Sequence, residues 1–188
     1  ADNAYPLDNR ALAKIMTHDP YRMPRVNRAT TFYPRAEAAP ALSASRLISD
    51  RDFELTCPFT WAQSDHGVLF ALGDCLRGFA AFVSDGELVV HYNGGLVIKR
   101  DLRLPLDTGN LILRIDHHAL PGRIGKASVT IERDGATVAS GDLDMSPTIL
   151  LLSGEGLEVG LDRRTAVSAE YADRVPFAYT GSIRHVHV

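Results

Sequence analysis

The sequence predicts an all-β sandwich, and three observations carry that expectation. Short apolar runs recur between turn residues along most of the chain, two Asp-Gly pairs each sit between segments of strand length, and no strand-helix-strand alternation is visible. A length of 188 residues suits one hydrophobic core with an appendage.

Residues 1–44 read as an irregular extension. Leu12, Ile15 and Met16 are spaced for one short helix capped by Asp8 or Asn9, and Pro20, Pro24 and Pro34 then forbid a long regular element. Tyr5, Leu7, Tyr21, Met23, Phe32 and Tyr33 make the segment too apolar for a solvated linker, so it is expected to pack on the sandwich or on another part of a larger protein. The boundary falls within residues 36–45, and the sandwich spans 45–188.

Strand signals begin at Phe53. Phe53, Leu55, Cys57 and Phe59 alternate with Glu54, Thr56 and Pro58, and the missing N–H of Pro58 calls for an edge strand or a strand end. Val68–Leu72 follows, closed by Gly67 and Gly73. Gly78–Val83 and Glu87–Tyr92 flank Asp85-Gly86, a dipeptide suited to the positive φ values of a type I′ turn. Leu96–Leu104 comes after Asn93-Gly94-Gly95, and Leu111, Leu113 and Ile115 alternate with Arg114 and Asp116. Lys126–Glu132 and Ala136–Gly141 enclose Asp134-Gly135 as a second hairpin. Ile149–Leu152, Leu157–Val159 and Gly181–Val188 complete the series, the last expected beside the Phe53 strand.

Hydrophobic residues at 45% and charged residues at 23% belong to an ordinary folded protein. Lys and Arg number 20 against 23 Asp and Glu, and the formal charge of −3 gives no drive toward nucleic acid or an anionic membrane. No apolar run approaches the length of a membrane span, and the start lacks a signal-peptide layout. The first residue is Ala1, so the chain is expected to begin after processing or partway along something longer, which leaves its location open.

Seven histidines invite a metal reading. His117 and His118 point to opposite faces of a strand, whereas His185 and His187 share a face and alone have ligand-like spacing. With no cysteine or acidic cluster nearby in sequence, a solvated strand face is the favoured reading of that pair as well. His66 reads as a turn residue and His91 as a polar strand residue. Cys57 and Cys75 allow at most one disulfide, carry no nucleophile signature, and read as partly buried free thiols.

Glu54, Asp116 and Glu132 are the acids a glycosidase would draw on, yet they are widely spaced strand residues. Gly154-Glu155-Gly156 and Gly160-Leu161-Asp162 lack the lysine and helix of a phosphate loop. Asp162 suits either calcium with loop carbonyls or, more simply, backbone hydrogen bonds in a turn before Arg163-Arg164. Trp61 and Tyr92 suit either stacking on a sugar or the core. No catalytic, cofactor-binding or metal-binding residue is assigned.

Val159-Gly160, Asp162, Val167-Ser168, Tyr171 and Phe177-Ala178-Tyr179-Thr180-Gly181 follow one another in an order that resembles the C-terminal region of a group of bacterial arylsulfatases. Gly67-Val68-Leu69 with Ala71-Leu72-Gly73, Gly78-Phe79, the stretch from Val83 to Leu88, and Tyr92-Asn93 resemble the same region. In those relatives it is a concanavalin A-like, laminin-G-like jelly roll of two antiparallel sheets. Tyr5-Pro6-Leu7-Asp8 and Thr31-Phe32-Tyr33-Pro34 resemble the linker that leads into it from an α/β catalytic domain, so nearly the whole chain is covered.

Sulfatases resemble one another in a Cys/Ser-x-Pro-x-Arg sequence, whose first residue becomes formylglycine, and in an Asp/Asn/His cluster that binds calcium. Here Cys57-Pro58-Phe59-Thr60-Trp61 places proline one position early and no arginine follows, so no residue takes either role. Lacking the aldehyde hydrate that attacks the sulfate ester and the ion that offsets its charge, the chain is expected to be inactive alone. The resemblance therefore implies an accessory domain of an arylsulfatase-like sulfuric ester hydrolase, with calcium held by the catalytic domain. Expected partners are that domain or a second copy, and carbohydrate in the alternative readings of a binding module on the concave face of one sheet or a jelly-roll glycosidase.

Overall fold

The computed structural model describes residues 28–34, 36–95, 98–120, 124–147 and 155–188. The helix expected near Leu12 and the strand expected at Ile149–Leu152 lie outside them. In chain order the elements are β1 (Thr31–Phe32), helix α1 (Ala41–Ile48), β2 (Phe53–Trp61), β3 (Gly67–Gly73), β4 (Gly78–Ser84), β5 (Glu87–Gly95), β6 (Ile98–Pro105), β7 (Gly109–His118), β8 (Lys126–Arg133), β9 (Ala136–Asp144), β10 (Leu157–Val159), a 3₁₀ segment (Ala169–Arg174), β11 (Ser182–Ile183) and β12 (Val186–His187). They form two antiparallel sheets, as the sequence predicts. One has seven strands in the order β1-β12-β2-β7-β8-β9, with β11 also on β2, and the other has five in the order β10-β3-β4-β5-β6.

Helix α1 is not foreseen by the strand-period reading, because two turns of ALSASRLI give little periodicity to recognise. It follows Pro40, and its Ala44, Leu47 and Ile48 join the core between the sheets.

β2 requires a correction. The sequence places Pro58 at an edge strand or a strand end, yet it sits mid-strand in β2, which lies inside the seven-stranded sheet with β7 on one side and β11 and β12 on the other. The reason is a gap in the partner. The C-terminal strand breaks into β11 and β12 opposite Pro58, where Arg184 N donates to Pro58 O at 2.9 Å. No donor is demanded of Pro58 at that point.

The main core lies between the sheets. Leu55, Cys57, Phe59, Leu111, Leu113, Ile115, Val129 and Ile131 meet Phe70, Leu72, Phe79, Val83, Leu88 and Val90 there. β3, β4 and β5 are buried on both faces: a second cluster on the outer side joins Val68, Ala71, Ala80, Phe82 and Val89 to Ala166, Val167, Tyr171 and Phe177. That is why these strands read as nearly unbroken apolar runs rather than alternating ones. A register shift between Val68 and Phe70 lets Leu69 and Phe70 both face inward.

Both Asp-Gly pairs are tight hairpins, with φ of 52° and 81° at Asp85-Gly86 and 52° and 79° at Asp134-Gly135. A Cβ on Gly86 would meet nothing within 4 Å, so substitution there tests backbone strain alone. Gly86→Val is expected to lower the unfolding free energy by about 1 to 3 kcal/mol, read from urea denaturation.

At one side of the sandwich β6 and β9 approach each other, with Leu102 against Gly141. At the opposite side residues 30–34 and 36–39 form a strap from sheet to sheet. Thr30 and Val188 exchange backbone bonds of 2.8 and 3.0 Å, β1 pairs with β12, and Ala39 exchanges bonds of 2.9 and 3.0 Å with Leu157 of β10. Phe32 and Ala39 pack on the main core.

Candidate functional site

Past β10 the chain turns at Gly160, φ 83°, and residues 160–180 run back over the outer face of the five-stranded sheet. The hinge of this cap is Asp162. Its Oδ2 accepts from Tyr171 Oη at 2.7 Å and from Val167 N at 3.1 Å, while its carbonyl accepts from Phe177 N at 3.1 Å. Tyr171 is completely buried, 4.9 Å from the Phe82 ring and 5.3 Å from Phe177. The cap then locks down: Val68 N donates to Phe177 O at 3.2 Å, and Tyr179 N donates to Gly160 O at 2.9 Å. Tyr179 Oη donates to Thr60 O at 2.7 Å. Thr180 and His66 exchange bonds around Asp65, and the His66 ring stacks on Phe177.

Burial holds the Asp162 carboxyl above its ordinary value against the opposing pull of the Tyr171 hydroxyl and the Val167 N–H, and burial raises Glu158 as well. A carboxyl raised on folding favours the protonated form, so its stabilising contribution is complete below the unfolded pKa and is lost as pH rises through the folded one. Measured against Asp162→Asn, which keeps an acceptor but cannot ionise, the wild-type protein is expected to lose relative stability as pH rises through and above the ordinary carboxylate range. Parallel urea midpoints across that range check this.

Beside the strap lies a polar cavity of about 330 Å³ lined by Glu37, Ala38, Glu155, Gly156, Glu158, Arg163 and Arg164. Arg163 ties it together. Its backbone N donates to Glu158 Oε2 at 2.7 Å, its Nε lies 3.3 Å from Glu158 Oε1, and its Nη2 donates to the strap carbonyl of Ala36 at 3.2 Å. Glu155 accepts from Thr165 N at 3.1 Å. A Cβ on Gly156 would fall 1.7 Å from Ala39 O, so only glycine permits the strap this close. The site brings together three carboxylates and two guanidinium groups, of which Arg163 holds Glu158 and the strap carbonyl of Ala36.

The outer face of the seven-stranded sheet is polar. Register aligns Glu54, Asp116, Ser128 and Asp142 in one cross-strand row and Thr56, Arg114, Thr130 and Ser140 in the next. Arg114 reaches Glu132 at 3.1 Å and also pairs with Glu54. The three acids weighed for a glycosidase therefore do share a face, which sequence spacing did not reveal. Two of them are bound to one guanidinium on an open sheet, so neither carboxylate faces a substrate groove.

Other candidate residues are structural. Cys57 is buried and its thiol is pushed up to about 12 by desolvation, whereas Cys75 is exposed rather than partly buried. Trp61 and Tyr92 are buried, the latter donating to Ser146 O at 2.7 Å, so neither offers a sugar platform. His117 is buried with a carbonyl oxygen 3.0 Å from each ring nitrogen, those of Arg51 and Met145, while His118 on the other face is exposed. His91 is buried against Asp101 at 2.5 Å. Among the described residues no three His, Cys, Asp or Glu side chains converge to hold a metal ion.

No protein-family model matches the chain, and no curated protein matches it. Among solved structures it is similar to domains LG4-5 of the mouse laminin alpha1 chain, with 16% identity and a TM-score of 0.48, covering 86% of this chain and 40% of that one. It is also similar to a bifunctional GH43-CE protein of Bacteroides eggerthii, with 11% identity and a TM-score of 0.41, covering 73% of this chain and 18% of that one. The chain thus spans less than half of either structure.

Proposed function

We propose that this chain is an accessory β-sandwich domain that docks, through its strap edge, onto the catalytic part of an arylsulfatase-like hydrolase. One observation carries the reading: the residues that carry the resemblance to arylsulfatases are consumed in building the cap. Asp162, Val167, Ser168, Tyr171, Phe177 and Tyr179 are all buried. They define a scaffold and leave no group over for sulfate-ester chemistry. The strap supports the docking role, since its two pairs of backbone bonds and the Arg163 contact fix it along one edge of the sandwich.

A second reading, carbohydrate binding, is favoured by the open polar face around Thr56, Arg114 and Thr130. The cap covers the outer face of the other sheet, and the row of Glu54, Asp116 and Asp142 repels anionic glycans, so the ligand in this reading is a neutral glycan.

The isolated chain is expected to release no product from aryl sulfates with or without calcium and to give no saturable heat with neutral glycans. Turnover surviving Cys57→Ala and Cys75→Ala would overturn the accessory reading. Glycan binding abolished by Arg114→Ala would favour the second.

A further inference from the structure

His187 in β12 and His185 in the break just before it flank the completely buried Val186 at the strap edge, and both are partly exposed. Their ring centroids are 6.5 Å apart, and Tyr33 stands edge-on 6.5 Å from His185. The Nδ1 atom of His187 hydrogen-bonds Thr31 Oγ1 at 2.8 Å. No hydrogen bond engages its Nε2 or either ring nitrogen of His185 among the described residues.

We infer that His185 and His187 form a two-imidazole chelate for a divalent transition metal such as Ni²⁺, Cu²⁺ or Zn²⁺. Imidazole suits these borderline ions, and the short step from the strand break into β12 leaves the two rings 6.5 Å apart on either side of Val186. With each nitrogen about 2.1 Å from the ion, two ring centroids come to about 4.5 to 5.5 Å, so χ changes must close the observed 6.5 Å separation by about 1 to 2 Å. Thr31 acts from behind. Its hydroxyl can accept from Nδ1–H, and in that tautomer the Nε2 lone pair is presented outward, the arrangement by which metal-bound histidines are generally oriented. Thr31 belongs to β1, so the strap itself positions the ligand. The remaining coordination positions go to water, which makes the site open and its affinity micromolar rather than that of a closed structural zinc site.

The test is isothermal titration of the untagged full chain with NiCl₂, CuCl₂ and ZnCl₂, joined by electron paramagnetic resonance of the Cu²⁺ form. One site per chain is expected, with two nitrogen donors in the spectrum. His185→Ala and His187→Ala should each weaken binding at least about tenfold, and Thr31→Val should weaken it less while leaving the nitrogen count unchanged. Binding that survives His185→Ala at full affinity overturns the assignment, as does a site removed by changing His66 or His118. If His187→Ala disturbs folding, the His185→Ala variant, at a partly exposed position outside β12, decides the matter alone.

Discussion

Replacing Gly67 with alanine is expected to leave the protein unfolded or more than about 4 kcal/mol less stable. Gly67 has φ 113°, and a Cβ there would fall 2.1 Å from the Ala178 carbonyl oxygen and 2.6 Å from Tyr179 Cα. Both obstacles are backbone, and that backbone is fixed by the parallel bridge between Val68 and Ala178. The methyl group therefore has to lift the cap off β3. At Gly86 the φ is also positive but the space is empty, so the difference between the two glycines measures the close approach rather than the backbone angle. Urea denaturation of Gly67→Ala beside Gly86→Ala reads it directly, and equal losses would contradict the account of the cap.

Tyr171→Ala is expected to cost about 3 to 5 kcal/mol, because it empties the centre of the second hydrophobic cluster. It also leaves Asp162 buried without its hydroxyl donor. Tyr171→Phe separates the two effects: it keeps the ring on Phe82 and removes only the bond to Asp162, for a loss of about 1 to 2 kcal/mol. With a domain of this size, the alanine variant should melt at least about 8 °C lower than the parent. Its exposed sheet face should bind a hydrophobic dye that the parent does not.

Most of the sandwich is legible in the sequence because its strands announce themselves locally. β2, β7 and β8 alternate cleanly, having one solvated face, and the two Asp-Gly turns fix the hairpins β4-β5 and β8-β9. Pro58 misleads because its tolerance depends on a break in a strand more than a hundred residues away. VLFAL, FAAFV and LVV read in the sequence only as short apolar strands, and the structure gives the reason for their uniformity, a cover on both faces. What supplies the cover was not legible, since the turns of residues 160–180 have no period. The strap cavity was not legible either. Glu37, Glu155, Glu158 and Arg163 are unremarkable charges until the strap crosses from one sheet edge to the other.

The most direct test of a docking role is to capture the native protein from its source cells with an antibody to the folded chain. The captured material is then identified by intact mass spectrometry after carboxylate-reactive cross-linking. The account predicts that the 188-residue sequence is continuous with, or firmly attached to, a polypeptide carrying a Cys/Ser-x-Pro-x-Arg sequence converted to formylglycine, with cross-links from Glu37 or Glu155 at the strap edge. Recovery of the 188-residue chain alone, with no sulfatase-type polypeptide attached, would contradict it.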